Sequence, residues 1–366
     1  MQANVEPPTN TGPHGIEEAP PAVTDLSDTA PAAGGHRAPI HAVVPLLDGT
    51  QGPCALYPAP PAATNRPTAS HTRRLLEGPI APTLLRLAAP NIAVMLAQAA
   101  VTTGEAYFVG WLGPEALAGV SLVFPLIMLM QGMAGGGMGG GVASAVARAL
   151  GAGRRDDANA LALHAVVTAC LMGALFTTGA FWGGPTLYRA MGGAAHTIEA
   201  ALTYSNLVFA GALSCWLLNT LASLVRGTGT MLLPASVIIG GGIVTLSLSP
   251  ALILGWGPFL RLGIAGAAVG FIAYYSLGSL VLLGYLCSGR SLVQLTMSGF
   301  RFRRALFWEI LRVGAPASLN SLLIHLNMML LTGLAGHFGT FALAGYGMGA
   351  RLEYVRPHWC SDLVQR

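Results

Sequence analysis

Seven apolar runs, each of about twenty residues or more, occupy most of the chain after residue 86. An α-helix rises 1.5 Å per residue, so about twenty apolar residues are needed to cross the roughly 30 Å hydrocarbon layer of a bilayer. The sequence therefore predicts seven membrane-spanning helices and the beginning of an eighth, which starts at Phe341 and stops near Val355. The predicted spans are 87–112, 117–146, 160–181, 201–224, 232–254, 264–286 and 310–335.

The composition is that of a membrane protein. Charged residues make up 9% of the chain and apolar residues 53%, with a mean hydropathy of +0.59, whereas a soluble domain carries roughly 25% charged residues. The net charge of +4 is carried by arginine in short connections between spans, which is typical of membrane topology rather than of a nucleic-acid surface. The five cysteines are widely spaced, and the common hydrolase, redox and phosphate-loop motifs do not occur. We therefore predict no enzymatic activity, no cofactor and no nucleic-acid partner.

One apolar segment occurs twice. Sliding the sequence by 226 positions places residues 84–120 on residues 310–346 without a gap, and eleven of the thirty-seven pairs are identical. The matches include Arg86 with Arg312 and the whole of Ala116–Gly119 with 342–345. Internal repeats of this kind build many secondary transporters, in which the substrate site lies between the two repeats. The sequence therefore predicts a six-helix first lobe followed by the start of a related second lobe.

The arginines sort to alternate ends of the predicted spans. The connections on one side hold ten of them: Arg73, Arg74, Arg148, Arg154, Arg155, Arg226, Arg290, Arg301, Arg303 and Arg304. The opposite connections hold only Arg189 and Arg261. Because short arginine-rich loops stay in the cytoplasm, we predict an inner-membrane, multi-pass protein with a cytoplasmic N-terminus.

Both ends of the chain differ in character from the apolar spans. The first residues are rich in Pro, Ala and Thr without hydrophobic periodicity, which is typical of disorder. Near the other end, we considered the reading frame that starts at the third base of each codon. This frame must encode Leu across His358-Trp359 and Val across Trp359-Cys360, and it permits further apolar residues. We therefore expect a frameshift or truncation there. The predicted regions are a disordered extension (1–76), the first lobe (77–290), a linker with the start of the second lobe (291–355) and an aberrant tail (356–366).

Three segments resemble the multidrug and toxic compound extrusion (MATE) family. GEAYFVGWLGPEALAG, residues 104–119, resembles its first-helix signature, and residues 224–258 and 262–270 resemble its fifth and sixth helices. The resemblance implies a twelve-helix antiporter of two lobes that exports cationic or amphiphilic drugs in exchange for H+ or Na+. The predicted fold is an all-α integral membrane protein with a MATE-type first lobe and the first helix and a half of a second.

The resemblance also implies residue roles. The family's coupling acid in its first helix falls on Glu105, and a cavity tyrosine and asparagine of its proton-coupled members fall on Tyr204 and Asn219. The family's fifth-helix asparagine and aspartate fall on Thr245 and Ser249, so one of two lobe carboxylates is replaced. We predict Glu105 as the ion-coupling residue and the other four as cavity-lining positions.

The chemistry of Glu105 points the same way independently. It is the one acid well inside a predicted span, and a carboxylate at membrane depth costs about 2.5–3.5 kcal/mol on insertion scales, so it is retained chiefly for function. The alternative is that Glu105 lies near the outer end of its helix and is hydrated there. The glycine run at 132–141 lacks the Lys-Ser/Thr of a phosphate loop and predicts close helix packing or bending.

The sequence is compatible with three functions. The first is export of organic cations in exchange for H+ or Na+ by alternating access, with the bilayer and small cationic substrates as partners. The second is a non-transporting remnant or a membrane subunit that needs a complementing second lobe. The third is a lipid-linked sugar flippase, which a basic central cavity would favour; only Arg86 and Arg312, near the starts of their spans, are candidates for it.

Overall fold

The computed structural model describes residues 80–255, 261–295 and 303–353. Every regular element within these ranges is helical, which confirms the all-α prediction. The first helices are α1 (Ile80–Gly110), α2 (Pro114–Gln131), a π-helical segment (Gly132–Met138), α3 (Gly139–Gly151), α4 (Arg155–Ala190) and α5 (Ala195–Ala210). They are followed by α6 (Ala212–Gly227), α7 (Leu232–Leu254), α8 (Ile264–Cys287), α9 (Arg304–Gly336) and α10 (Thr340–Glu353).

Six helices in the described ranges are long and apolar enough to cross a membrane, and there are seven when α5 and α6 are taken as one span. α2, the π-helical segment and α3 together form the second of these spans. The prediction of seven spans agrees with this arrangement. The extension at 1–76 and the tail at 356–366 lie outside the described residues.

The fourth predicted span is bent rather than straight. α5 and α6 meet at an angle of 48° across Gly211. A β-carbon at Gly211 would lie 2.6 Å from Cγ1 of Ile272 on α8, so only glycine lets the bend sit this close to that helix. The bend brings the C-terminal half of the span, α6, against α3, α4 and α8.

α6 lies at the centre of the lobe. Its large apolar side chains Trp216, Leu218, Leu221 and Leu224 are each at most 2% exposed. They pack with α3, α4 and α8 into one continuous core. This core fixes the positions of the helices that surround the functional cavity.

The start of the second lobe packs on the first through glycine. A β-carbon at Gly137 would lie 2.9 Å from Cα of Ser318, and one at Gly141 would lie 2.8 Å from the amide nitrogen of Gly314. Both glycines belong to the run for which the sequence predicts close helix approach, and the structure confirms that approach, with α9 as the neighbour. α10 packs on α2 in the same way, with Gly347 directly against Ser121.

Charged side chains gather at one end of the bundle. Arg148 pairs with Glu309 at 3.4 Å, while Arg154 and Arg303 pair with Asp157 at 3.0 and 3.2 Å. These arginines belong to the set that the sequence assigns to a single side of the membrane. The structure therefore brings the end of α3, the start of α4 and the start of α9 together at one end.

Candidate functional site

A cavity that is partly open to the outside lies between α1, α7 and α8. Each of these helices contributes at least two residues, and α2 contributes its last residue, Gln131. The lining residues are Ala97, Gln98, Val101, Thr102, Glu105, Gln131, Ile238, Gly242, Thr245, Phe271, Tyr274 and Tyr275. Glu105 is the one acidic residue in this lining, and no basic residue belongs to it.

Glu105 is tied to a neighbouring helix by Tyr204. The Tyr204 hydroxyl on α5 donates a hydrogen bond to Oε1 of Glu105 at 3.0 Å. Tyr204 is only 2% exposed, so its ring is fixed by the core while its hydroxyl meets the carboxylate. A charge-assisted bond of this kind orients a carboxylate that would otherwise be free to rotate. The structure therefore brings together two of the five residues predicted from the sequence.

α1 carries a polar stripe that sequence analysis missed. Gln98, Thr102 and Glu105 are spaced by four and three residues, so they share one helix face, and all three line the cavity. The Thr102 hydroxyl donates to the carbonyl oxygen of Gln98 at 3.1 Å. The spacing of these polar residues within an apolar span is the sequence signal that could have revealed the stripe. Glu105 alone was noticed, because it is charged.

The two fifth-helix candidates separate in space. Thr245 on α7 lines the cavity, and its hydroxyl donates to the carbonyl oxygen of Gly241 at 2.9 Å. Ser249, one turn further along, is 2% exposed and is not part of the cavity lining. Its Oγ has no hydrogen-bond partner within the described part of the chain. Thr245 is therefore placed to contact a ligand in this cavity, and Ser249 is not.

Asn219 also lies outside the cavity lining. Its Nδ2 donates to the carbonyl oxygen of Cys215 at 2.9 Å, one turn earlier on α6. Its Oδ1 faces the glycine run, where a β-carbon at Gly135 would lie 3.0 Å from it. In this structure Asn219 therefore faces the π-helical segment rather than a ligand.

The third wall of the cavity is aromatic. Phe271, Tyr274 and Tyr275 line it from α8. The ring centroids of Phe271 and Tyr275 lie 4.5 Å apart, and those of Tyr274 and Tyr275 lie 4.6 Å apart. Such a cluster offers ring faces and edges to a planar ligand. Sequence analysis did not predict these residues, because aromatic residues are common in membrane helices generally.

Neither arginine that the sequence offers as an inward-facing candidate is seen at the cavity. Arg312 is exposed on α9, and the Arg86 side chain lies outside the described residues. Arg351 on α10 is instead the buried arginine, at 3% exposure. Its guanidinium carbon lies 4.7 Å from the ring centroid of Phe124 on α2. Arg351 does not line the cavity, so it does not make the cavity basic in the sense that a flippase would need.

Comparison with known proteins shows the fold and a similarity to one family. The profile of the MatE family matches residues 90–251. The FAD transporter of Shewanella oneidensis is 30% identical over 284 residues, which cover 77% of this chain and 62% of that protein. The probable multidrug resistance protein YoeA of Bacillus subtilis is 28% identical over 249 residues, covering 65% of this chain and 52% of YoeA.

A solved structure agrees with these sequence matches. The inward-facing conformation of a multidrug resistance MATE family transporter of the MOP superfamily superimposes with a TM-score of 0.65 at 28% identity. The match covers 71% of this chain and 60% of that one. The chain thus spans between about half and two thirds of the length of the relatives it matches. A family profile, curated relatives and a solved fold all point to one family, and over these matched residues the chain is similar to the MATE family of multi-pass membrane transporters.

Proposed function

We propose that this chain supplies the first lobe of a secondary active multidrug efflux transporter, which exports organic cations in exchange for H+ or Na+ by alternating access. The observation that carries the proposal is the position of Glu105. It lines the cavity between α1, α7 and α8 and is held by a hydrogen bond from Tyr204. A single carboxylate that can bind either the coupling ion or a cationic substrate makes the two compete, and competition is what exchange requires.

The walls of the cavity suit a planar cation. Phe271, Tyr274 and Tyr275 present aromatic rings, which attract cations through their negative faces. Gln98 and Thr245 add neutral polar groups. A largely apolar cavity with few polar groups is typical of sites that bind drug-sized ligands.

A flavin is the second candidate substrate. The relative from Shewanella oneidensis is a FAD transporter, and the aromatic wall formed by α8 suits an isoalloxazine ring as well as a cationic dye. The charges of the described lining residues favour the cation, because Glu105 is the one carboxylic acid among them and none of them is Lys, Arg or His. The absence of a basic lining also ranks a sugar-lipid flippase below both candidates, because the phosphate of a lipid-linked sugar would have no counter-charge.

The proposed location is the inner membrane, with the arginine-rich end of the bundle in the cytoplasm. Arg148, Arg154 and Arg303 all lie at that end, and arginine in short connections is retained on the cytoplasmic side. The lipid bilayer is the proposed surrounding. A complementing second lobe is the proposed partner, because exchange by rocking needs two lobes that move around the site.

Binding of ethidium to the purified chain tests the proposal. We expect Glu105→Gln to weaken ethidium binding by about tenfold or more, which corresponds to about 1.4 kcal/mol. Glu115→Gln is the matched control, because Glu115 is exposed at the start of α2, away from the cavity. If Glu105→Gln binds ethidium as tightly as the unaltered chain, the cavity is not the cation site.

The same binding assay identifies the coupling ion. Displacement of ethidium by lowering the pH at constant sodium indicates H+, and displacement by sodium at constant pH indicates Na+. A different result would favour the flavin. In that case the unaltered chain binds FAD but not ethidium, and Glu105→Gln binds FAD with unchanged affinity.

A further inference from the structure

A second groove lies between α1 and α7, apart from the cavity that holds Glu105. Its apolar walls include Val94 of α1 and Ala235 and Ile238 of α7, and the last turn of α6 contributes Arg226. Val94, Ala235 and Ile238 pack against one another as a small cluster, and Ile238 also lines the cavity. This cluster therefore forms the wall between the groove and the cavity, so the groove is a separate site.

Arg226 is the one charged residue in the described lining of this groove. It lies in the last turn of α6 and is partly buried. Its Nη2 donates a hydrogen bond to Oγ of Ser223 at 3.0 Å, and no carboxylate pairs with it within the described ranges. A guanidinium carries five N–H donors, so donors remain for an acceptor that approaches through the groove.

The charge of Arg226 is compensated less well than that of its neighbours. Arg148, Arg154 and Arg303 pair with carboxylates, and Arg155 is exposed. A partly buried charge without an opposite charge is costly. The dipole of α6, which is negative at this end of the helix, offsets part of that cost. The arrangement therefore favours an anionic ligand beside Arg226.

The groove lies at the arginine-rich end of the bundle. Gly227 follows Arg226 and packs on α3, where a β-carbon would lie 2.9 Å from the carbonyl oxygen of Ala143. Later in α3, Arg148 forms the ion pair with Glu309. Arg226 is therefore at the same end as these charges, at the level where a bilayer places its headgroups. In the proposed orientation this is the cytoplasmic end.

The groove adjoins a surface of α7 that faces lipid. α7 packs mainly on α1 and α8, and elsewhere on the helix Leu232, Ile243 and Val244 are exposed. These apolar side chains belong to a helix that is long and apolar enough to cross a membrane, so the surrounding acyl chains cover them. Met231, which lines the groove just before α7, is 43% exposed. Apolar surface for an acyl chain and a cation for a headgroup therefore lie side by side.

We propose that this groove binds an anionic phospholipid of the surrounding bilayer, with its phosphate on Arg226 and an acyl chain along α1 and α7. Basic pockets between membrane helices on the cytoplasmic side suit anionic headgroups, and a guanidinium can bind phosphate through two parallel N–H donors. A zwitterionic headgroup carries a positive charge that offsets this attraction. A free phosphate ion would leave the apolar walls uncovered, so the lipid is the better match.

Native mass spectrometry of the purified chain in detergent tests the headgroup preference. We expect phosphatidylglycerol to bind at least about fivefold more tightly than phosphatidylcholine with the same acyl chains. Arg226→Gln should abolish this preference, and Arg226→Lys, which keeps the charge, should retain most of it. Arg155→Gln is the matched control, because Arg155 is exposed at the same end of the bundle. Equal binding of the two lipids, or equal losses in Arg226→Gln and Arg155→Gln, overturns the proposal.

Photocrosslinking locates the lipid on the unaltered chain and so does not depend on the folding of a variant. Phosphatidylglycerol with a diazirine on one acyl chain is placed in nanodiscs with the protein, and labelled peptides are identified by mass spectrometry. We expect labelling of residues 90–94 and 231–238 to exceed that by the matching phosphatidylcholine probe at least about threefold. Labelling that is the same for both probes overturns the proposal.

Two controls exclude other roles for Arg226. If inorganic phosphate displaces phosphatidylglycerol at millimolar concentration, the site recognises phosphate alone and the lipid assignment fails. If phosphatidylglycerol raises the melting temperature of Arg226→Gln as much as that of the unaltered chain, Arg226 serves only the end of α6 and the proposal fails. We expect neither result. These measurements use no transported substrate and leave Glu105 unaltered, so their outcome is independent of the proposed transport function.

Discussion

Replacing Gly141 by alanine should separate the start of the second lobe from the first. A β-carbon at Gly141 would lie 2.6 Å from the carbonyl oxygen of Ile310 and 2.8 Å from the amide nitrogen of Gly314. These are backbone atoms of α9, which cannot move aside as a flexible side chain can. Since ordinary contacts begin near 3.4 Å, α9 must retreat by roughly 0.6–0.8 Å to make room.

The cost of that retreat follows from packing. A gap of this size forfeits about a quarter to a half of the dispersion energy between facing atoms, and overpacked cores lose about 1–3 kcal/mol. Gly140→Ala is the matched control, because Gly140 is exposed and no atom lies within 4 Å of a β-carbon there. Both glycines lie in α3, so the gain of about 1 kcal/mol in helix propensity from glycine to alanine is common to the two variants. The two variants should therefore differ by the overpacking cost alone, about 1–3 kcal/mol.

Thermal unfolding of the two purified variants measures this difference. At about 2–4 °C per kcal/mol for a chain of this size, Gly141→Ala should melt about 2–12 °C below Gly140→Ala. Equal melting temperatures would refute the reasoning, because α9 would then not rest on the backbone of the glycine run.

Two further substitutions test individual hydrogen bonds. Tyr204→Phe removes the donor to Glu105. Because a hydrogen bond to a charged group contributes about 1.5–3 kcal/mol, we expect ethidium affinity to fall about tenfold. The control Tyr107→Phe, at an exposed tyrosine, should leave ethidium affinity unchanged, and equal affinities of the two variants would contradict the role of the Tyr204 hydroxyl. His164→Ala removes the imidazole whose Nε2 accepts a hydrogen bond from the backbone N–H of Arg303 at 2.9 Å. We expect the free energy of unfolding to fall by about 1–3 kcal/mol, which lowers the melting temperature. The control His196→Ala, at an exposed histidine, should leave the melting temperature unchanged.

Much of the helical architecture could be predicted because the bilayer leaves few alternatives. A segment that crosses hydrocarbon must satisfy its backbone groups internally, so an apolar run of sufficient length indicates a helix. The first predicted span, 87–112, therefore overlaps α1, Ile80–Gly110. The bend at Gly211 could not be predicted in this way. Gly173 and Gly240 also lie within helices, and those helices continue past them without a break. A neighbouring helix approaches Gly173 as closely as α8 approaches Gly211, so the glycine alone does not mark the bend.

The candidate site was predictable only in part, for a related reason. Glu105 stands out because a carboxylate within an apolar run is costly. Its partner Tyr204 is 99 residues away in the chain, and no local pattern links the two, so the prediction came from family resemblance. Arg351 was missed because an arginine near the end of a short apolar segment is typical of a membrane boundary. Its burial depends on the docking of α10 on α2, which is a property of the tertiary structure.

The internal repeat relates the two helices that meet at Ser121 and Gly347. Ser121 and Gly347 are equivalent positions in the two copies, being 226 residues apart, and they pack directly on each other. Contact between equivalent residues is typical of a two-fold axis, so α2 and α10 meet as related helices. The charged positions break this symmetry, because Leu331 is equivalent to Glu105 and Pro125 to Arg351. The acidic side chain and the buried basic side chain therefore belong to different copies, so the repeat retains the packing of α2 on α10 but not the charges at these positions.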